Sequence, residues 1–497
     1  YIQQSPVAAQ NNVFRKWAAN EKTALEAAIG MSYAGKRAIC CMKHVGLNVA
    51  VDPFINSAFT GANGGLIVIA ADDPSMHSSQ NEQDSRFYGK FALLPILEPS
   101  NQQEAYDMVF EGFELSEKYK IPVLLRITTR LAHSRAGIVT RNKLPQKELK
   151  LPDDLKQFIL LPAIARKKYK VLLKTFNSFV EESENSHFNK YIEGEDKSLG
   201  IIACGLAYNY LMENYPERKL PYPLLKISQY PLPRKLVEKI YNECNKLLIL
   251  EEGYPMVEEL LKGYTSAGKK VSGRLDGTIP RDGELNPNIV AAALGMPNSK
   301  GEDIPNIVVA RPPSLCPGCP HIDTYLALNE TLSSYSPGRV FSDIGCYTLG
   351  ALPPYNAINS CVDMGASLTM AKGAADAGLF PSVTVIGDST FTHSGITGLL
   401  DAVNDESSIT VIILDNGTTA MTGGQPSSGT NKLESICEGI GVEKEHIRII
   451  KPLKKNHDEN VKIIKEELEY KGVSVIISKR ECVVALNKRM REKFKKN

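Results

Sequence analysis

At 497 residues the chain is long enough for about three domains of roughly 150 residues each. Its 43% hydrophobic and 23% charged residues describe a globular protein, and a net charge of +2 gives no electrostatic reason to expect nucleic acid or a membrane surface as partner. No apolar run reaches about 18 residues, so we expect no membrane span. With no signal-peptide pattern at the start, we expect a cytoplasmic protein. The sequence opens at Tyr1 without a methionine, and we expect residues upstream of it. Ten cysteines in a chain this large do not read as a secreted disulfide scaffold.

The elements fall into three blocks. The first, from about Trp17 to Ile138, alternates a helical pattern (Glu21 to Tyr33) with apolar strands at Ala38–Met42, Gly65–Ala70 and Pro122–Arg126. Strands alternating with helices imply a parallel, helix-covered sheet. Gly46, after the first strand, lets the backbone approach a ligand closely, and His44 beside it is a site residue or a satisfied polar neighbour. The long polar loop Asp72 to Arg86 follows the second strand, where binding residues concentrate. Arg86 suits either a bidentate hold on a substrate carboxylate or a surface ion pair. Asp72-Asp73 reads as turn chemistry.

A charged segment, Thr140 to Lys197, reads as a connector with one or two helices. A second α/β block starts at Gly200-Ile-Ile-Ala-Cys-Gly, includes Lys246-Leu-Leu-Ile-Leu-Glu-Glu, and fades through Gly268 to Asn288. The third block runs from about Ile307 to the end. The expected fold class is α/β, three consecutive open and mostly parallel domains, at 1–140, 198–290 and 305–497, with 141–197 as connector.

The third block carries the most chemistry. The apolar run Val383–Ile386 delivers the chain to Gly387-Asp388-Ser389. A helical segment follows, and then Ile409–Leu414 ends in Asp-Asn416-Gly. Asp388 and Asn416, 28 residues apart, therefore belong at the carboxyl ends of neighbouring parallel strands, where open α/β sheets bind ligands. A carboxylate and an amide oxygen near a helix N-terminus suit a divalent metal carrying a diphosphate. Gly-Asp-x, about 28 residues, then Asn resembles the metal–diphosphate motif of thiamine diphosphate enzymes. His393, five residues past Asp388, is a candidate proton donor beside the cofactor. Gly387, Ser389, Thr390, Thr418, Met421 and Thr422 around the pair, with Gly46 and Asn48 in the first block, complete the candidate cofactor-binding set.

Cys316-Pro-Gly-Cys319, Ile344-Gly-Cys346 and Cys482 fit four thiolates on one metal centre. From the cysteines alone zinc, an iron–sulfur cluster and simple buried thiols all remain open. The thiamine motif between Cys346 and Cys482 turns the balance to iron–sulfur, because an oxidative thiamine reaction needs a nearby electron acceptor. Thiamine chemistry also needs a carboxyl hydrogen-bonded to the pyrimidine ring, in an apolar site that raises its pKa. Glu21, opening the first helix, is the candidate, with Glu26 second.

Together these stretches resemble the large (alpha) subunit of indolepyruvate ferredoxin oxidoreductase. The matching segments include WAANEKTALEAAIGMSYAGKR, MKHVGLNVAVDPF, ADDPSMHSSQNEQDSRFYGKF, RPPSLCPGCPH, SDIGCYTLGALPPYN and GDSTFTHSGITGLLDAVND with LDNGTTAMTGG. The resemblance implies a pyrimidine-binding domain, a transketolase C-terminal-like domain and a diphosphate-binding domain. It implies thiamine diphosphate with Mg2+ held by Asp388, Asn416 and the carbonyl of Thr418, Glu21 as the pyrimidine-activating Glu, and a 4Fe-4S cluster on Cys316, Cys319, Cys346 and Cys482. Two family segments are not found: an opening Tyr-Pro-Gly-Thr-Pro and a closing ferredoxin-like domain. We expect either truncation at both ends or a lineage that passes electrons out through another subunit.

The implied reaction is oxidative decarboxylation of an aryl 2-oxoacid such as indolepyruvate to the acyl-coenzyme A thioester, with electrons leaving to ferredoxin. The implied assembly is a hetero-oligomer with a smaller beta subunit. Non-oxidative decarboxylation, a transketolase-like carboligation and a non-catalytic assembly role are the alternatives. A nicotinamide enzyme is disfavoured, because Gly64-Gly65 lacks the Gly-x-Gly-x-x-Gly turn.

Overall fold

The computed structural model describes residues 6–494 except 155, 218, 265–269, 300, 302 and 310–312. The opening Tyr1–Ser5, Gly268 and the Arg311-Pro312 of the matched cysteine stretch lie outside the described residues. The chain forms two compact units, 1–303 and 304–497.

The first unit holds two five-stranded sheets. Its strands are β1 (Ala38–Lys43), β2 (Leu66–Asp72), β3 (Ile96–Leu97), β4 (Val123–Thr128), β5 (Lys190–Ile192), β6 (Gly200–Cys204), β7 (Leu224–Ile227), β8 (Gln229–Tyr230), β9 (Lys246–Leu250) and β10 (Lys270–Ser272). One sheet has the order β1-β2-β4-β3-β8, the other β10-β9-β6-β7-β5. Both are parallel apart from one edge strand each, β8 against β3 and β5 against β7. The apolar runs of β2, β4, β6 and β9 are buried almost throughout, as strands covered on both faces must be. β1, an apolar run like the others, alternates: Ala38, Cys40 and Met42 face inward while Ile39 and Cys41 are exposed. It is an edge strand, and only one of its faces is packed.

The helix expected at Glu21 to Tyr33 spans Glu21–Tyr33. It starts there because the Asn20 side chain accepts from Thr23 N–H at 2.8 Å while Thr23 answers at the Asn20 backbone. The connector contains one long helix, Pro162–Asn185, preceded by residues 134–161 with no helix or strand among those described. It also supplies β5, so the second sheet draws on chain upstream of Gly200. β8, from beyond the second sheet's β7, returns to the first sheet, so the two sheets of this unit share chain as well as an apolar core.

The second unit is built on β11 (Val340–Ser342), β12 (Val383–Gly387), β13 (Ile409–Asp415), β14 (Thr418–Thr419), β15 (Gln425–Pro426), β16 (Ile447–Ile450) and β17 (Val473–Lys479). The main sheet, β11-β12-β13-β17-β16, is parallel throughout. β14 and β15 form a small antiparallel pair at the carboxyl end of β13. All residues of β12 and β13 are buried, and the pair meets with Gly387 opposite Leu414. Among the described residues no helix is long and apolar enough to cross a membrane.

Candidate active site

In the second unit, Asp388 follows the last residue of β12 and Asn416 the last residue of the adjacent β13. The strand register therefore brings together two residues 28 apart in sequence, as their motif predicts. Both are buried. Asp388 accepts from Ser389 N–H at 2.8 Å and from Gly417 N–H at 3.0 Å. Asn416 Oδ1 accepts from Thr418 N–H at 3.0 Å. The chain leaves β12 into a short helical turn, Asp388–Thr390, then a π-helical stretch, Phe391–Gly395. Such stretches recur at functional sites.

Asp415 adds a carboxylate that sequence reasoning passed over. It accepts from the same Gly417 N–H as Asp388, at 3.2 Å. Burial, and then the charge of Asp415, push Asp388 up to about 7. Two carboxylates crowded on one amide in a buried corner are a repulsive arrangement that a hard divalent cation relieves, and the oxygen donors of Asp388 and Asn416 suit one. The Ser389 hydroxyl lies 2.8 Å from that of Thr419, and Thr390 donates to the Ile344 carbonyl at 3.0 Å. Thr418 is buried and donates to the Gln425 carbonyl at 3.1 Å. Met421 and Thr422 sit on the exposed loop beyond β14. His393 is buried in the π-helical stretch, its Nδ1 against the Ser394 hydroxyl.

Of the second unit's six cysteines, four belong to the expected set, Cys361 is exposed and Cys437 is buried. Cys316, Cys319, Cys346 and Cys482 lie close enough that Cys319 feels the charges of the other three and Cys346 those of Cys482 and Cys316. Burial comes first in raising both thiols, Cys319 to about 11. Among the described residues no three His, Cys, Asp or Glu side chains are gathered as one metal ion requires. The four thiols are thus neighbours without being closed on a single point, and a multi-iron cluster spreads its ligand sulfurs wider than a single ion does. Cys437 is buried in an apolar core instead.

Two of the cysteine segments are also tied to Asn416 of the metal motif. Cys482 N–H donates to the Asn416 carbonyl at 3.1 Å. His321, two residues past Cys319, is buried with its Nε2 3.4 Å from the Asn416 amide, and burial lowers it to about 4. It stood in the matched stretch but carried no spacing signal of its own.

In the first unit, Glu21 and Gly46 come together. A Cβ on Gly46 would sit 2.6 Å from Glu21 Cγ and 2.7 Å from its Oε1, so only glycine leaves room for this carboxylate. Glu21 also bears electrostatically on Cys40 of β1. Glu26 is exposed and paired with Lys22, an ordinary i,i+4 surface contact. Asn48 is exposed at the end of the short helix His44–Val49. His44 is buried with its ring nitrogens 3.4 and 3.1 Å from the carbonyls of Ala71 and Asn81, a satisfied polar neighbour.

Arg86 corrects the expectation. It is neither a substrate clamp nor a surface residue, since it is fully buried. Its guanidinium donates to Asp84, to Glu251 at 3.0 Å, and to the carbonyls of Glu252 at 3.1 Å and Tyr254 at 2.9 Å. Arg126 beside it pairs with Asp72 at 2.6 Å, with Glu98, and with the Glu252 carbonyl at 3.0 Å. Asp72, Asp84 and Glu98 from the first sheet's side and Glu251 from the end of β9 surround these two arginines, so the carboxyl end of the first sheet is filled here by a buried ion network. Asp72 belongs to this network rather than to a turn, whereas Asp73 does order the turn, accepting from Ser78 N–H at 2.9 Å.

Among known proteins, the thiamine pyrophosphate enzyme family's C-terminal TPP binding domain matches residues 343–478, which contain β12, β13 and the Asp388–Asn416 pair. The indolepyruvate oxidoreductase subunit IorA of Archaeoglobus fulgidus is 39% identical over 97% of this chain and 80% of its own length. That of Methanothermobacter thermautotrophicus is 38% identical over 97% of this chain and 81% of its own. A solved 2-oxoglutarate:ferredoxin oxidoreductase from Magnetococcus marinus aligns over 54% of this chain and 55% of its own at 15% identity and a TM-score of 0.42, too loosely to argue from. On identity sustained along nearly its whole length, with a thiamine pyrophosphate-binding domain in its second unit, the chain belongs to the indolepyruvate oxidoreductase IorA family.

Proposed function

We propose that this chain is the thiamine diphosphate-bearing subunit of a 2-oxoacid ferredoxin oxidoreductase. Its reaction is the oxidative decarboxylation of aryl 2-oxoacids such as indolepyruvate to the acyl-coenzyme A thioester, with release of carbon dioxide and reduction of ferredoxin. The observation that carries this reading is the tie between the cysteine segments and the buried Asp388–Asn416 corner, through the Cys482 N–H bond to the Asn416 carbonyl and the contact of His321, two residues past Cys319, with the Asn416 amide. A redox centre beside a diphosphate site has no use in a non-oxidative decarboxylase.

In this reading Asp388, Asn416 and the carbonyl of Thr418 hold Mg2+, and the crowding of Asp388 with Asp415 is what the ion relieves. Gly387, Ser389 and Thr390 line the diphosphate from the start of the helical turn, where backbone N–H groups favour anions. Cys316, Cys319, Cys346 and Cys482 hold a 4Fe-4S cluster. When bound, thiamine diphosphate supplies the electron sink for decarboxylation and the cluster a one-electron acceptor. Glu21, kept in place by Gly46, holds a proton at the pyrimidine end, and His393 handles a proton near Asp388. The chain divides by role into a pyrimidine-binding part (1–140), a connector (141–197), a transketolase C-terminal-like part (198–290) and a diphosphate part (305–497). A smaller beta subunit and ferredoxin are the partners, in the cytoplasm.

The test is iron and acid-labile sulfide on anaerobically purified protein, with thiamine diphosphate quantified in the same sample. About four irons and four sulfides alongside bound thiamine are expected. Thiamine without iron overturns the oxidative reading in favour of a decarboxylase. Thiamine binding without 2-oxoacid-dependent dye reduction, partner subunit present, makes the chain an assembly subunit.

A further inference from the structure

Between Cys346 and Asp388 lies a side chain that the reaction proposed above does not use. Tyr347 is buried, and its hydroxyl donates to the Asp343 carboxylate and lies 3.1 Å from the Ile344 carbonyl. Its ring occupies the space over two glycines. A Cβ on Gly345, the residue before Cys346, would overlap the ring. A Cβ on Gly387, the residue before Asp388, would lie 2.5 Å from its Cε1. Gly345 has an extended backbone (φ 172°), so it is the ring's closeness and not a left-handed conformation that demands glycine there.

Further contacts fix the residue and its ring. The Tyr325 hydroxyl donates to the Tyr347 carbonyl at 2.6 Å, and the His321 ring stands edge-on to it with centroids 6.3 Å apart. Asp343, which takes the Tyr347 hydroxyl, also accepts from Gly365 N–H at 3.1 Å and from the Ser367 hydroxyl at 2.5 Å. A second strut runs parallel, from the Thr390 hydroxyl to the Ile344 carbonyl at 3.0 Å. The loop bearing Cys346 and the loop bearing Asp388 thus close on one aromatic ring, with glycine where each touches it.

We propose that Tyr347 is a positioning residue that fixes the separation of the cysteine loop from the diphosphate loop. What the two loops bind rests on the functional reading above; that they move as one body through Tyr347 does not. Its use follows from the chemistry, since one-electron transfer falls steeply with the distance between donor and acceptor. A close-packed ring between two loops removes the slack that would let that distance wander.

The experiment compares wild type, Tyr347→Phe and Tyr347→Leu as full chains purified anaerobically. It measures hydrogen exchange in segments 345–348 and 387–390 and Mg2+-dependent thiamine diphosphate affinity. Tyr347→Leu should speed exchange in both segments and weaken thiamine diphosphate about tenfold or more, since small misplacements at a positioned site are amplified. Tyr347→Phe, which keeps the ring, should retain most of both. Faster exchange confined to 345–348, with 387–390 and the affinity at wild-type values, overturns the proposal. Should Tyr347→Leu fail to fold, Gly387→Ala presses on the ring from the diphosphate side and should speed hydrogen exchange in 345–348 several-fold. An unchanged rate there overturns the proposal equally. A wild-type chain that binds no thiamine diphosphate refutes the functional reading, while the exchange results still decide the coupling.

Discussion

Gly46→Ala separates the position of Glu21 from the stability of the fold. The added methyl would stand 2.6 Å from Glu21 Cγ and 2.7 Å from Oε1. Ordinary contact begins near about 3.5 Å, so the carboxylate must withdraw by about 0.8 Å. The atoms in the way belong to a flexible side chain, and moving them off a rotamer minimum costs about 0.5–1.5 kcal/mol. Against this, Ala in the helix His44–Val49 is favoured over Gly by about 1 kcal/mol. The two nearly cancel, and the variant should melt within a few degrees of wild type. Catalysis should not be spared, because a misplacement of about 1 Å lowers rate by about 10²-fold. Proton exchange at the thiazolium carbon of bound thiamine diphosphate, followed by NMR, reads this step alone. We expect Gly46→Ala to slow it about 10²-fold and Glu21→Gln to slow it at least as much. In the Glu21→Gln background Gly46→Ala should add nothing, because both act through one carboxylate. Exchange at the wild-type rate in Gly46→Ala would refute the reasoning and return Glu21 to the status of a helix-end carboxylate.

Arg86→Ala should destabilise the chain by about 3–5 kcal/mol, because it leaves Glu251 buried without its cationic partner and Asp84 with Arg126 alone; a wild-type melt with only KM raised would restore the substrate-clamp role. Burial pushes Glu252 from 4.5 to about 7, among Arg126, Glu284, Arg130 and Tyr210. A carboxyl whose folded pKa is raised binds more protons folded than unfolded, so its contribution is present below pH 4.5 and is lost as pH rises to about 7. Denaturant midpoints of Glu252→Gln should therefore show a shallower decline than wild type over that window, with parallel pH profiles counting against the assignment. Cys316→Ser should remove iron and sulfide together, whereas Cys361→Ser, at an exposed thiol outside the group of four, should leave both; equal loss in the two would mean the four cysteines are not the ligands.

Much of this was legible from periodicity and spacing because it is local. The helix Glu21–Tyr33 starts at its Asn20 cap, and β12 and β13 are unbroken apolar runs. A parallel βαβ connection puts the residues after its strands side by side, which makes Asp388 and Asn416 neighbours. Spacing also singled out Cys316, Cys319, Cys346 and Cys482, and the fold ties the segments of Cys319 and Cys482 to Asn416.

Tertiary structure decided the rest. Arg86 offered a guanidinium on a polar loop, and nothing local says that Glu251, 165 residues on, will neutralise it. β1 showed the same apolar residues as a central strand, but only one of its faces is packed, which leaves Ile39 and Cys41 outside. The need for glycine at Gly46 lies with Glu21, and at Gly387 with Tyr347, neither of them a chain neighbour. Periodicity records which face of an element is apolar, and a motif records which groups stand at its end. Which remote group fills the space opposite is settled only when the elements pack, because close packing and the pairing of buried charge are properties of the assembled interior.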